Sequence, residues 1–137
     1  MTYADELKPA PPSKLEIAEH VYLRLLSIVF LGFAVFAWIR IVGLYDGVEW
    51  RFDIMPVHWK IISVIMAVLL PVVSVGLWTL LPWGQVVWSL VVALEVTMHV
   101  AFKGYFEQND RLVIFHLSCV AVFLIFRGIS LYRVKKE

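Results

Sequence analysis

Four long apolar segments alternate with short polar stretches along the chain. Each segment is close to the roughly 20 residues that an α-helix needs to cross the hydrocarbon core of a bilayer. None shows the alternating pattern of a membrane β-strand. The pattern therefore predicts an all-α, polytopic membrane protein in which residues 13–132 form an antiparallel bundle of four transmembrane helices. The predicted spans run from about Tyr22 to Leu44, Trp59 to Leu81, Val86 to Phe102 and Leu112 to Tyr132.

Two local signals refine these segments. Ser13 and Glu16 have the spacing of a capping box, in which the serine caps a backbone amide and the glutamate reaches back to the serine amide. This spacing predicts that the first helix begins at Ser13, before the membrane. Pro71 lies inside the second span and predicts a kink, with Ser74 placed to take part of the hydrogen bonding that the proline leaves open.

The distribution of basic residues predicts the orientation. Four spans place the N-terminal tail (1–12, expected to be flexible), the turn at 82–85 and the basic tail 133–137 on the same side. The larger group of basic residues falls on this side, so the positive-inside rule predicts that both termini are cytoplasmic. That group is Lys8, Lys14, Arg24, Arg127, Arg133, Lys135 and Lys136, against Arg40, Arg51, Lys60, Lys103 and Arg111 on the other side.

Composition supports the membrane assignment and excludes some functions. The hydrophobic content of 61% exceeds the usual 45–50% or so of soluble domains, and the mean hydropathy is +0.83. A net charge of +1 gives no basis for binding nucleic acid. Cys119 is the single cysteine, which excludes an intramolecular disulfide, and neither it nor any serine has a plausible base nearby. The sequence therefore gives no support for an enzyme.

The third span contains an ionisable pair, Glu95 with His99 one helical turn later. A carboxylate inside the bilayer costs about 2.5–3.5 kcal/mol on insertion scales and often marks function. His116 is predicted to face this pair from the fourth span, and Arg40 and His58 lie toward the same end. Three interpretations remain open: a structural polar contact, a proton or quinone site, and haem b or a metal at His99 and His116. The first requires no cofactor.

The loop between the first and second spans has an unusual composition. It mixes large aromatic residues with charged ones, where a plain connector would be polar and rich in glycine or serine. This composition is typical of a binding patch for a protein partner, and equally of an interfacial loop that caps the bundle. Its Asp53, or nearby Asp46, is also a candidate partner for Arg40. The candidate binding residues are Trp50, Arg51, Phe52, Asp53 and Met55.

Short motifs suggest a relationship to known proteins. The segment YLRLL, the pattern Trp38-x-Arg40-x-x-Gly43 and the run WRFDIMPVHW from Trp50 are the most specific. Together they resemble a family of small four-helix inner-membrane proteins of alphaproteobacteria with no assigned function. In size and span number the chain is also similar, more generally, to DoxX-type four-helix membrane proteins. The resemblance implies a bacterial inner-membrane location and transfers no catalytic residues.

The sequence thus leads to two functional hypotheses. In the first, the chain is an accessory or scaffold-type membrane protein that acts through a membrane-protein partner or a second copy of itself, using its loop and its lipid-facing helix surfaces. In the second, it is a redox or proton-handling membrane protein that uses Glu95, His99 and His116. The lipid bilayer surrounds the protein in both.

Overall fold

The computed structural model describes residues 9–136, and every regular element in that range is a helix. Each helix is long and apolar enough to cross a membrane, which confirms the predicted all-α class with four spans. Residues 1–8 of the predicted N-terminal tail, and Glu137 of the C-terminal tail, lie outside the described range. The helices are α1 (Lys14–Val42), α2 (Val57–Trp78), α3 (Pro82–Ala101) and α4 (Asp110–Val134).

Local chemistry at the helix ends explains their bounds. The predicted capping box is confirmed, because Ser13 Oγ accepts from the Glu16 amide at 3.2 Å and Glu16 Oε2 accepts from the Ser13 amide at 2.6 Å. Helix α1 ends at Gly43, which adopts a left-handed conformation (φ 72°) that glycine tolerates without strain. Helix α3 begins at Pro82, a residue suited to the first helical position, so it is longer than the apolar run from Val86.

The four helices form a ring in which each packs only against its sequence neighbours and α4 returns to α1. Because the helices alternate in direction, the C-terminal ends of α1 and α3 meet the N-terminal ends of α2 and α4. The core lies mainly between α1, α2 and α3. Only two residues of α4 are buried, His116 and Cys119. The bundle is therefore a closely packed group of three helices with a fourth attached to its side.

Two reciprocal hydrogen bonds join α1 to α2 inside the bundle. Ser27 Oγ donates to the Ser74 carbonyl at 2.8 Å, and Ser74 Oγ donates to the Ser27 carbonyl at 3.0 Å. Ser74 is therefore occupied by α1. Pro71 has no N–H, so it cannot donate to the carbonyl of Ala67, four residues earlier. That carbonyl instead accepts from Trp38 Nε1 at 3.1 Å. The expectation that Ser74 takes part of the hydrogen bonding left open by the proline was wrong, because the indole of Trp38 on α1 donates to the open carbonyl instead.

Helices α2 and α3 approach each other closely at a pair of glycines. A Cβ atom added to Gly84 would overlap the backbone of Gly76, and one added to Gly76 would overlap Gly84 and the ring of Trp83. The tight connection between the two helices runs through Leu80, which has a positive φ of 58°. Two residues without side chains are thus needed for the backbones to meet at this crossing.

Candidate functional site

A cavity of about 680 Å³ lies at the end of the bundle where α1 and α3 end. It is partly open, and the connections α1–α2 and α3–α4 border it. Its inner wall is apolar, with Phe33, Met66 and Leu70, whereas the rest carries polar and aromatic groups. A volume in this range is typical of small-molecule sites. The polar and aromatic wall includes Arg40, Trp50, Trp59, Ser63, Glu95 and His99.

Glu95 and His116 form the most buried ionisable pair of the described residues. The Glu95 carboxylate, on α3, is in contact with Nε2 of His116 on α4. The His116 side chain is fully buried and packs against the rings of Phe30, Phe33 and Phe115. Glu95 retains a small exposed fraction because it also lines the cavity. The pair therefore connects the cavity to a polar group that is otherwise sealed within the bundle.

The two other histidines of the predicted cluster have separate environments. His99 lines the cavity, and its Nδ1 lies 2.7 Å from the carbonyl oxygen of Glu107, which ties the end of α3 to the loop before α4. His58 packs against the rings of Trp59, Tyr105 and Phe106 and is not part of the cavity wall. The structure thus brings Glu95, His99 and Arg40 to one cavity, with His116 directly behind Glu95.

Arg40 is held between two tryptophans. Its guanidinium carbon lies 5.1 Å from the centre of the Trp50 ring and 5.6 Å from that of Trp59, which are cation–π distances. Asp53, one of its expected partners, is instead bound by Arg51, two residues away, at 2.6 Å. Within residues 9–136, no carboxylate lies within ion-pair distance of Arg40 and no acceptor is hydrogen-bonded to it.

The connection between α1 and α2 is folded onto the bundle. Arg51 binds Asp53 through two nitrogens, and this donation holds the pKa of the Asp53 carboxyl below its usual range. Lys60 donates to the Asp53 carbonyl at 3.1 Å, and its ammonium lies over the ring of Phe52. Met55 is buried and accepts from Ser63. The candidate binding residues therefore all make contacts within the chain, and partner binding by this loop stays a prediction.

A second polar group lies at the opposite end of the bundle and was not predicted. Glu19 is buried on α1, and its carboxylate lies 3.3 Å from Nε of Arg127 on α4. Arg127 also donates to the side-chain oxygen of Gln85 on α3 at 2.9 Å. The sequence analysis used Arg127 only as one of the basic residues that predict the orientation. Residues of opposite charge at the same end of two spans are the signal that could have indicated this pair.

Polar contacts of this kind attach α4 to the other helices, and we call them the α4 anchors. A third one is the phenol of Tyr22, which donates to the Cys119 carbonyl at 2.6 Å. The α4 anchors are Glu95–His116, Tyr22–Cys119 and Arg127 with Glu19 and Gln85.

The described residues do not form a ready metal centre. Between Pro9 and Lys136, no three His, Cys, Asp or Glu side chains come together in a group that could hold a metal ion. Glu95 and His116 are a pair, and His99 is engaged with a backbone carbonyl instead.

Comparison with known proteins gives one match. The model of a family of unknown function, DUF6163, matches residues 17–134, which includes all four helices and the cavity. No curated protein and no solved structure matches the chain.

Proposed function

The chain belongs to the DUF6163 family, whose function is unknown, and we propose that it is a membrane protein that binds a small amphipathic molecule between its helices and exchanges a proton with it. The observation that supports this proposal is that Glu95 makes contact on two sides. Its carboxylate lines the cavity and also contacts the fully buried His116. A group that touches both a bound molecule and a sealed base can pass a proton between them.

The chemistry of the two side chains supports this role. Histidine changes its charge near neutral pH, and a carboxylate in contact with an imidazole shares protons with it as a coupled pair. Ionisable groups in membrane spans are costly and commonly mark proton pathways. The cavity supplies the rest of a binding site, with apolar surface from Phe33, Met66 and Leu70 and polar groups at its mouth.

The location that fits this proposal is the bacterial inner membrane, with both termini in the cytoplasm and the cavity toward the outer side. The supporting argument is the larger group of basic residues at the end of the bundle opposite the cavity. A reporter fused after Lys136 tests the orientation and is expected on the cytoplasmic side. A second reporter, inserted between Tyr45 and Val48, is expected on the outer side.

Infrared difference spectroscopy across a pH titration tests the proton exchange. We expect a protonation signal from a carboxyl group that is altered when a short-chain benzoquinol probe, which carries exchangeable O–H protons, is added, and that Glu95→Gln removes. Glutamine keeps the shape of the side chain but cannot ionise. The matched control is Glu19→Gln, since Glu19 is also buried but is paired with an arginine away from the cavity. A signal that survives Glu95→Gln, or that Glu19→Gln removes instead, contradicts the proposal.

A second candidate function is that of an accessory protein that binds a membrane-protein partner or a second copy of this chain. The observation that favours it is the exposed apolar group Tyr45, Val48 and Ile54 on the connection between α1 and α2. Each of these side chains is half exposed or more, although the Tyr45 ring also contacts the ring of Trp50. Crosslinking from Val48 to one defined partner, abolished by Ile54→Ser but not by Val134→Ser on the opposite end, would support this function. Equal crosslinking in both variants would contradict it.

A further inference from the structure

We propose that the molecule bound in the cavity is a lipid-soluble carboxylic acid of the fatty-acid class. Its carboxylate binds Arg40, its proton passes to the Glu95–His116 pair, and its tail extends into the bilayer between α1 and α4. This inference rests on the proposed function of the cavity as a proton-exchanging binding site, and it adds the chemical class of the ligand and the route by which it enters.

The position of Arg40 identifies the head group. Trp50 and Trp59 occupy the neighbourhood of its guanidinium at cation–π distance, and the cavity lies beside it. No acceptor among residues 9–136 satisfies its N–H donors. The planar guanidinium presents these donors as a rigid fork that matches the two oxygens of a carboxylate. Arg40 therefore has the geometry of a receptor for a carboxylate that the protein itself does not supply.

An arginine near the end of a span usually extends its side chain toward the headgroups and water. Arg40 differs because its cation is drawn between two indoles, one from the α1–α2 connection and one from α2. Arg24, near the opposite end of α1, lies over a single ring, that of Trp78, and is exposed. The two tryptophans thus hold the Arg40 charge at the cavity.

The proton step follows from the same geometry. A carboxylic acid enters from the bilayer in its neutral form, because the charged form is costly in hydrocarbon. In the cavity its O–H bond breaks, the electron pair stays on the carboxylate, and the proton goes to the Glu95 carboxylate, which shares it with His116. The product carboxylate is then stabilised by Arg40. Both Arg40 and Glu95 line the cavity, so one bound molecule can reach both groups.

The other charged groups of the cavity wall lie at its mouth. Glu107 and Asp110 are exposed at the mouth, Asp110 accepts from Gln108 at 2.9 Å, and Arg111 follows in the first turn of α4. The mouth therefore carries acidic and basic groups together, whereas Arg40 is the cation held beside the aromatic wall.

The route for the tail is the part of the α1–α4 contact region that lies next to the cavity. The aromatic contacts between these helices within residues 9–136 reach as far as Phe33, which packs against Phe115. One turn further along α1, Phe36 lines the cavity although it is 56% exposed. Leu112 on α4 lines the same cavity and is half-buried. A cavity wall that is also lipid-facing surface marks a lateral opening to the bilayer.

Equilibrium binding of radiolabelled lauric acid to the purified full chain in a non-ionic detergent tests this inference. We expect saturable binding that Arg40→Gln weakens about tenfold or more, because a hydrogen bond to a charged group contributes about 1.5–3 kcal/mol. The matched control is Arg24→Gln, which removes an arginine that lies over the ring of Trp78 away from the cavity, and it is expected to change the affinity less than about twofold. Arg40→Lys keeps the charge without the fork and is expected to give an intermediate loss.

Two comparison ligands separate the possible outcomes. Dodecanol has the same tail without the acid, and acetate has the acid without the tail, so both are expected to compete poorly with laurate. Competition by dodecanol as strong as by laurate, with no effect of Arg40→Gln, overturns the ligand class but leaves a binding cavity. A proton signal that depends on Glu95, together with no laurate binding, likewise overturns only this inference. Competition by acetate alone identifies a site for free anions and overturns the route through the bilayer.

Discussion

The three-helix unit α1–α2–α3 and the fourth helix are held in place by different kinds of contact. Half of the most apolar stretch of α2 is buried (50%), but only 6% of the corresponding stretch of α4 is. Within the unit, small residues and glycines let backbones meet, as at Gly76 and Gly84. Helix α4 is joined by the α4 anchors and by ring contacts such as Phe33–Phe115 and Trp88–Phe123, with side chains that span a wider gap.

This difference shows which contacts depend on the shape of the side chains and which contain ionisable groups. Packing of the kind seen at Gly76 and Gly84 depends on shape and is insensitive to pH. The Glu95–His116 anchor contains two groups whose charge depends on bound protons, and it lies beside the cavity. The Glu19–Arg127 anchor contains an arginine, which stays charged at any physiological pH. Substitutions at the anchors therefore test the attachment of α4, whereas substitutions at the glycine crossing test the packing of the three-helix unit.

The largest expected effect comes from breaking the anchor beside the cavity. His116→Leu leaves the Glu95 carboxylate buried without its partner and is expected to lower the free energy of unfolding by about 3 kcal/mol or more. Unfolding in mixed detergent micelles, titrated with dodecyl sulfate, measures this loss. The comparison variant Glu19→Gln removes the charge of the other anchor and is expected to cost about 1 kcal/mol, because the Arg127 side chain left behind is 48% exposed and can be solvated.

A double variant sharpens the same test. Glu95→Leu combined with His116→Leu removes both polar groups, and we expect it to recover most of the stability lost in His116→Leu. No recovery would mean that the shape of the imidazole, rather than its pairing with Glu95, holds this part of α4.

A smaller effect is expected from the glycine crossing. Gly84→Ala forces α2 and α3 apart, because the new methyl group overlaps the Gly76 backbone, and it should cost about 2 kcal/mol. Gly128→Ala on α4 meets nothing within 4 Å and is expected to be neutral or to stabilise by at most about 1 kcal/mol. Thermal unfolding of the two variants in the same detergent compares them. Equal melting temperatures would show that the three-helix unit is no more closely packed than the attachment of α4.

The serine pair gives a smaller effect again. Ser27→Ala removes the donor to the Ser74 carbonyl and leaves the reciprocal bond from Ser74 in place. Hydrogen bonds between membrane helices average about 0.6 kcal/mol, and we expect a loss of that size in micelle unfolding. Ser118→Ala on α4, where the hydroxyl bonds to its own helix, is the control and should change nothing measurable. A loss equal to that of Ser27→Ala would mean that the hydrogen bond between α1 and α2 is not the cause of the effect.

The smallest effect is expected outside the membrane, at Asp53. Arg51 lowers the pKa of this carboxyl in the folded state, so the pair stabilises the fold at pH values above the unfolded-state pKa. That contribution is lost as the pH falls through the lowered, folded-state pKa. Both groups are exposed, so Asp53→Asn should only slightly flatten the acid limb of the stability profile. A wild-type acid limb that is unchanged in Asp53→Asn would mean that other carboxyl groups determine it.

Much of the architecture was predictable because apolar length and capping chemistry are local properties. The start of α1 follows from Ser13 and Glu16, and the four spans follow from uninterrupted apolar runs. Pairing between helices was harder to predict, because it depends on rotation about each helix axis. Similar depth in the membrane predicted that His116 faces His99, whereas in the structure His116 contacts Glu95, one helical turn deeper. The placement of Arg40 beside two tryptophans could not be predicted, because it depends on how the α1–α2 connection folds back onto the bundle.

The hydrogen bond from Trp38 to Ala67 has a consequence for the order in which the protein is assembled. Pro71 leaves the Ala67 carbonyl without a donor in its own helix, and a bare carbonyl is unfavourable in hydrocarbon. Because α1 is synthesised before α2, the indole of Trp38 is already in the membrane when this carbonyl arrives. We therefore expect α1 and α2 to insert as a hairpin, with α4 arriving last at anchor residues that earlier helices have already positioned.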